Sequence, residues 1–201
     1  MANRNLLRLT LPLIAATTLL SGCASLLGGA KPPEFLLNLV PDSKVEAGAQ
    51  QTGSPETAIG VLIPAIPQKL ATTRVPVLED VNKISYVVDA KWVENPARLF
   101  QQLLSETIAA RSNRLVLSEA QFLTSPGTRL AGELVDFGID ARTNQAVVTY
   151  DAVITSPDGT AIRKRRFVAT ETVGVVEPQY VGEALNRAAN KVAVDVAAWV
   201  G

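Results

Sequence analysis

Two hydrophobic rhythms divide the chain. Between Gln145 and Thr155, Ala146, Val148, Tyr150, Ala152 and Ile154 fall on one face of an extended backbone. Val147, Thr149, Asp151, Val153 and Thr155 fall on the other. That alternation predicts a strand. Arg129 to Ile139 reads as the strand before it, joined around Arg142-Thr143-Asn144. Ile162 to about Val173 reads as the strand after it, joined by the strong turn Pro157-Asp158-Gly159-Thr160. Three antiparallel neighbours in sequence order are the simplest arrangement of the three.

The other rhythm is helical. Asn95-Pro96 supplies an N-cap and a proline at the first helical position. Leu99, Phe100, Leu103, Leu104, Thr107 and Ile108 then recur at three- and four-residue steps, with Gln101, Gln102 and Glu106 on the polar side. This helix should end near Arg111-Ser112-Asn113. A closing helix opens near Glu177-Pro178, and Val181, Leu185, Ala188, Val192, Val196 and Trp199 trace its apolar stripe. Shorter extended segments are expected at Glu34 to Val40, Ala58 to Ile63, Lys83 to Val88 and Arg114 to Leu117. Arg74 to Leu78 also reads as extended, and Pro76 assigns it to a sheet edge. Residues 42–56 are polar and read as a loop. The expected fold is α+β: a mostly antiparallel sheet with two amphipathic helices packed on one face, forming a single domain over residues 34–201.

The first 33 residues follow neither rhythm. Arg4 and Arg8 precede an apolar run from Leu9 to Leu20 that contains Pro12 and three threonines. A spanning helix needs roughly 20 apolar residues. A basic start with a short apolar core is the layout of a secretory signal peptide. Leu20-Ser21-Gly22-Cys23 follows directly, and it resembles the bacterial lipobox. Small residues fit the peptidase at the scissile bond, and the cysteine sulfur takes the diacylglycerol thioether. Residues 1–22 are therefore read as a lipoprotein signal peptide, Cys23 as the acylated residue, and 23–33, with two glycines and two prolines, as a tether. Three acyl chains at about 0.8 kcal/mol per buried CH₂ hold a protein on a membrane essentially permanently.

Composition narrows the chemistry. Cys23 is the one cysteine, so an internal disulfide is excluded, and the chain has no histidine. The commonest general base and metal ligand are absent. Ser-Lys or two-carboxylate mechanisms stay open on paper, but no Gly-x-Ser-x-Gly, phosphate-cradling loop or metal-spaced cluster is found. No enzyme, cofactor or metal is expected. Lys+Arg and Asp+Glu number 19 each, which gives no general bias towards nucleic acid.

One basic run stands out: Arg163, Lys164, Arg165 and Arg166 in the third meander strand. It could meet lipid phosphates or an acidic partner. The plainer reading, which we favour, is an edge strand kept from pairing by its charge. Tyr86 and Trp92, before the capped helix, are assigned to strand-end packing. The proline segments at 64–67 and 75–77 read as stiff crossings between strands.

The lipobox, Glu34 to Pro41, the segment "IGVLIPAIPQKLATTRVPVLEDVNKISYVVDAKWVENPARLFQQLLSETI" and the closing helix together resemble the ABC-type transport auxiliary lipoproteins, the paraquat-inducible protein C-like group. A strand ending in Val-x-x-Pro leads through a tyrosine to a tryptophan just before a helix. Here these are Val61 to Pro64, Tyr86, Trp92 and the helix from Pro96. The resemblance implies a non-enzymatic lipoprotein held at the periplasmic face of a Gram-negative outer membrane. Its partners would be an MCE-domain protein and the components of an ABC transporter that moves lipids or other hydrophobic molecules between membranes. A homo-oligomer is also implied. The alternative is a structural lipoprotein supporting another envelope assembly machine.

Overall fold

The computed structural model describes residues 33–54, 56–112, 114–117, 121 and 127–201. Leu20, Ser21, Gly22 and Cys23 lie outside the described residues, as does nearly all of the tether. The N-cap of the first helix forms as its sequence predicts. Asn95 Oδ1 accepts from the Ala97 backbone N–H at 2.9 Å, and Pro96 occupies the first turn, where a missing donor costs nothing. Helix α1 spans Pro96–Arg111 and buries Leu99, Phe100, Leu103, Leu104, Thr107 and Ile108. Helix α2 spans Pro178–Val200 and buries Val181, Leu185, Ala188, Val192 and Val196. The remaining buried positions of α2 include Ala184, Ala189, Ala193 and Ala197, and these small side chains let the two helices pack closely against each other.

Among the described residues, seven strands form one mixed sheet. They are β1 (Ile59–Val61), β2 (Arg74–Asp80), β3 (Lys83–Lys91), β4 (Val116–Leu117), β5 (Thr128–Asp140), β6 (Gln145–Thr155) and β7 (Ile162–Thr172). Strand β5 is the spine. On one side it pairs antiparallel with β6, and β6 pairs antiparallel with β7 in unbroken register from Gln145↔Thr172 to Thr155↔Ile162. This is the expected meander. On its other side β5 takes two parallel neighbours, β1 near its start (Ile59↔Thr128) and β2 near its end (Val77↔Ile139). Strand β4 extends the sheet from β1 in parallel, and β3 extends it from β2 antiparallel. The fold is α+β, with a sheet that is mixed rather than purely antiparallel.

Two short segments differ from their sequence reading. Glu34 to Val40 is not a strand; only Leu37 makes a bridge, parallel to Trp92. Beyond it, helix α2 takes over the backbone groups. Val40 N–H donates to Asn186 Oδ1 at 2.8 Å, Asn190 Nδ2 donates to Val40 O at 2.9 Å, and Asp42 N–H donates to Asn190 Oδ1 at 2.8 Å. Polar side chains on a helix have replaced a partner strand. The other difference is Pro76, which sits inside the sheet between β3 and β5 rather than at an edge. It is tolerated because it stands at the β2–β3 register shift, one residue before pairing to β5 begins.

Both helices cover one face of the sheet. Phe100 of α1 lies edge-on to Tyr150 at 5.2 Å between centroids and 6.5 Å from Phe137. Trp92 meets Phe137 at 5.1 Å. Trp92, fully buried, packs just past the end of β3 as expected, whereas Tyr86 lies inside β3 opposite Pro76 and is only partly buried. Gly132 of β5, opposite Ala152 and diagonal to Tyr150, leaves room for the tyrosine ring; a Cβ there would come within 2.8 Å of the ring and 2.2 Å of Asp151 O. The proline crossing at 64–67 is anchored by Ala65, which bridges β5 at Glu133.

Candidate partner surface on the edge strand β7

Among the described residues, strand β7 pairs only with β6, and its basic run is fully on the surface. The two-residue period of a strand splits the run between faces. Lys164 and Arg166 lie on the helix-free face, where they share Asp151 of β6. Arg166 donates Nε to Asp151 Oδ1 at 2.6 Å and Nη2 to Oδ2 at 2.8 Å. Lys164 Nζ stands 3.8 Å from Oδ2. Forked geometry of this kind suits a guanidinium and a carboxylate. The Asp151 side chain is only 12% exposed, so it depends on these cations for its solvation.

The Asp151 carboxyl is held below its ordinary value of 3.8, chiefly by the Arg166 hydrogen bond, with burial opposing and the Arg166 and Lys164 charges assisting. A carboxyl lowered in the folded state stabilises the protein above its unfolded pKa, and that contribution is lost as pH falls through the folded pKa. Both cations are more than half exposed, so solvent screening limits the pair to at most about 1 kcal/mol. Asp151→Asn should therefore flatten the pH dependence of the urea midpoint below about pH 4. An unchanged acid limb would contradict the assignment.

Arg163 and Arg165 lie on the other face, beside α2. Arg165 sits 4.9 Å above the Phe167 ring. Phe167 meets Trp199 edge-on at 5.6 Å, and Arg163 lies 5.1 Å over Trp199. Trp199 is thus half-buried between a strand and its cation rather than fully sunk in the core. Neither arginine has a carboxylate within ion-pair distance among the described residues. The charged neighbour of Arg163 is another cation, Arg114, whose pKa is pushed down first by burial and then by Arg163. Arg114 is itself occupied, donating to Thr57 O, Val200 O and Thr128 Oγ1 at 3.0, 2.8 and 2.6 Å.

The two pairs should respond differently to mutation. Lys164→Gln with Arg166→Gln leaves Asp151 poorly solvated and should cost about 1–3 kcal/mol. Arg163→Gln with Arg165→Gln loses only exposed cation–π contacts and should cost no more than about 1–2 kcal/mol for the two. Urea midpoints measured side by side check the order. On the edge-protection reading, the Arg163 and Arg165 variant should still complement a deletion strain. Lost complementation at normal protein level would make this face a contact surface.

Sequence reasoning reached the basic run but not the partition of its charges. The register that places Arg166 opposite Asp151 carries that information, and it depends on the turn at 157–160. Sequence reasoning also missed a hollow of about 220 Å³ on the helix-free face, floored by Pro76, Leu78, Ile84 and Val147. The ion pairs Lys69–Asp136 and Asp140–Arg142, at 2.5 and 2.7 Å, flank it. Among the described residues, no group of His, Cys, Asp and Glu could hold a metal ion, and no helix is long and apolar enough to cross a membrane.

The geometry has close counterparts among solved structures. A crystal structure of a protein from Xanthomonas campestris superimposes with a TM-score of 0.67 at 13% identity, covering 82% of this chain and 94% of that one. A second, uncharacterised protein gives a TM-score of 0.62 at 12% identity, covering 76% and 97%. At such identities the likeness establishes the fold alone. No curated protein matches the sequence. A family model described as "ABC-type transport auxiliary lipoprotein component" matches residues 39–197, from the loop before β1 to the last turn of α2. The chain belongs to the family of ABC-type transport auxiliary lipoprotein components.

Proposed function

We propose that the protein is a non-enzymatic, lipid-anchored periplasmic component of an ABC transport system containing an MCE-domain protein. On this reading it moves no substrate chemically. It holds the outer-membrane end of a conduit that carries lipids or other hydrophobic molecules between the two membranes. The observation that carries the proposal is the family match over residues 39–197. The lipobox at Leu20 to Cys23 supports the anchor, and Ala24-Ser25 after the cysteine, where an aspartate would favour retention at the inner membrane, supports the outer membrane. The absence of histidine from the sequence and of any nucleophile motif supports a binding role.

Genetic epistasis tests the transport assignment. Deleting this gene, deleting the gene for the MCE-domain protein, and deleting both should give the same envelope sensitivity. Additive sensitivity in the double deletion would assign the protein to a different envelope machine.

A further inference from the structure

We infer that the end of the domain at which the described chain begins is a bilayer-contact surface, formed by Phe35, Leu36, Val88, Val93, Val176 and Tyr180. The inference rests on the reading that Cys23 is lipidated. Three separate segments meet at this end. Leu37 N–H donates to Lys91 O at 2.7 Å and Val93 N–H to Leu37 O at 2.8 Å, so the segment from Phe35 runs parallel to the end of β3, with Leu36 level with Lys91 and Val93 just past the bridge. Leu37 packs so closely on Gly182, in the second turn of α2, that a Cβ on the glycine would meet it at 2.6 Å. Val88 and Val176 line one hollow with Pro178 at the start of α2. All six side chains are large, apolar or aromatic, and between 40% and 76% exposed. Val88 is pushed outward by a bulge: β3 uses Val87, Val88, Asp89 and Ala90 where β2 has only Val75, and Asp89 takes a φ of 58°. A left-handed aspartate costs roughly 1–2 kcal/mol, a strain retained here at an edge strand whose bulge presents a valine to solvent.

The occupant is argued from the chain that precedes Pro33. Cys23 is ten peptide steps away, at most about 35 Å when fully extended. Helix α2, with 23 residues, is itself about 34 Å long. A membrane-bound Cys23 therefore reaches this end easily, whereas the opposite end, with Trp199 and the basic run, lies near the limit of the tether. Glu34, Asp89 and Glu177 are exposed at this end against Lys91 and Arg74, its partner across the sheet, while Glu94 and Arg98 pair with each other, so the end carries no net positive charge. That charge balance disfavours an anionic surface, so contact should be apolar and with a zwitterionic lipid surface.

Single cysteines at Val93 and Val176, and at Thr160 on the far turn as control, carry an environment-sensitive fluorophore. In one arm the chain is anchored by its native lipid in phosphatidylcholine vesicles containing brominated lipid. In the other, residues 23–201 with Cys23→Ser carry an N-terminal histidine tag held on nickel-chelating lipid, so that attachment does not depend on acylation. Probes at Val93 and Val176 should shift to the blue and be quenched several-fold more than the probe at Thr160, and added phosphatidylglycerol should not strengthen the effect. Serine at Phe35, Leu36 and Val93 should abolish the quenching at Val176 while far-UV circular dichroism stays unchanged. Water-like probes in the tagged arm would overturn the inference whatever the state of Cys23. Probes that become buried only when an MCE-domain protein is added would overturn it in favour of a protein interface. Failure of native acylation, with quenching in the tagged arm, would refute the lipid anchor and leave the surface standing.

Discussion

Replacing Trp92 with alanine is expected to lower the stability of the protein by about 3–5 kcal/mol. Trp92 is 1% exposed, lies tilted against Phe137 at 5.1 Å, and closes the strand-to-helix corner before Asn95. Its backbone is tied on both sides, with its N–H donating to Thr73 O at 2.7 Å and the Leu37 bridge alongside. The surroundings therefore cannot collapse into the space the indole leaves. A single domain commonly has only 5–15 kcal/mol in total, so this loss is a large share of it. Trp92→Phe should cost far less. The indole Nε1–H is buried without an acceptor among the described residues, so phenylalanine removes an unsatisfied donor as well as volume. Urea unfolding of both variants decides the point, and equal midpoints for Trp92→Phe and Trp92→Ala would contradict this account of the corner.

Cys23→Ser should have the largest effect on the cell rather than on the fold. Acylation requires the sulfur, so the variant should accumulate as unprocessed precursor or appear in the soluble fraction, with no radioactive palmitate incorporated. Each lost acyl CH₂ removes about 0.8 kcal/mol of membrane affinity, so the change should approach complete release. The domain should keep its stability, because residues 33–201 form one compact unit without the leader. Palmitate label retained by the variant would refute the lipobox reading.

Much of the fold was legible because its long elements obey a single period over many residues. The boundaries of β6 match the alternation at both ends, and α1 begins at the asparagine and proline that cap it. Shorter segments were less legible because a few apolar residues do not reveal their partner. Glu34 to Val40 looks like a strand, yet only Leu37 bridges a strand end, and Asn186 and Asn190, about 150 residues away, bond the backbone of Val40 and Asp42. Pro76 signalled an edge because local sequence shows the missing donor and not the register shift that accommodates it. The parallel pairings of β1 and β2 with β5 bring distant segments together, and no turn residue announces them. At the candidate surface, the sequence displayed four cations in a row. Which of them are neutralised follows only from the β6–β7 register, which places Asp151 opposite Arg166.

Service to a transport conduit should leave a physical trace, which co-purification from the envelope detects. The chain, tagged at its C-terminus and expressed from its own locus, would be cross-linked in cells, solubilised in mild detergent and recovered for mass spectrometry. If the protein serves the conduit, an MCE-domain protein should be recovered together with the permease and ATPase of one ABC system, and lost in the Cys23→Ser variant. Recovery of the subunits of a different envelope machine, with no transporter component, would contradict it.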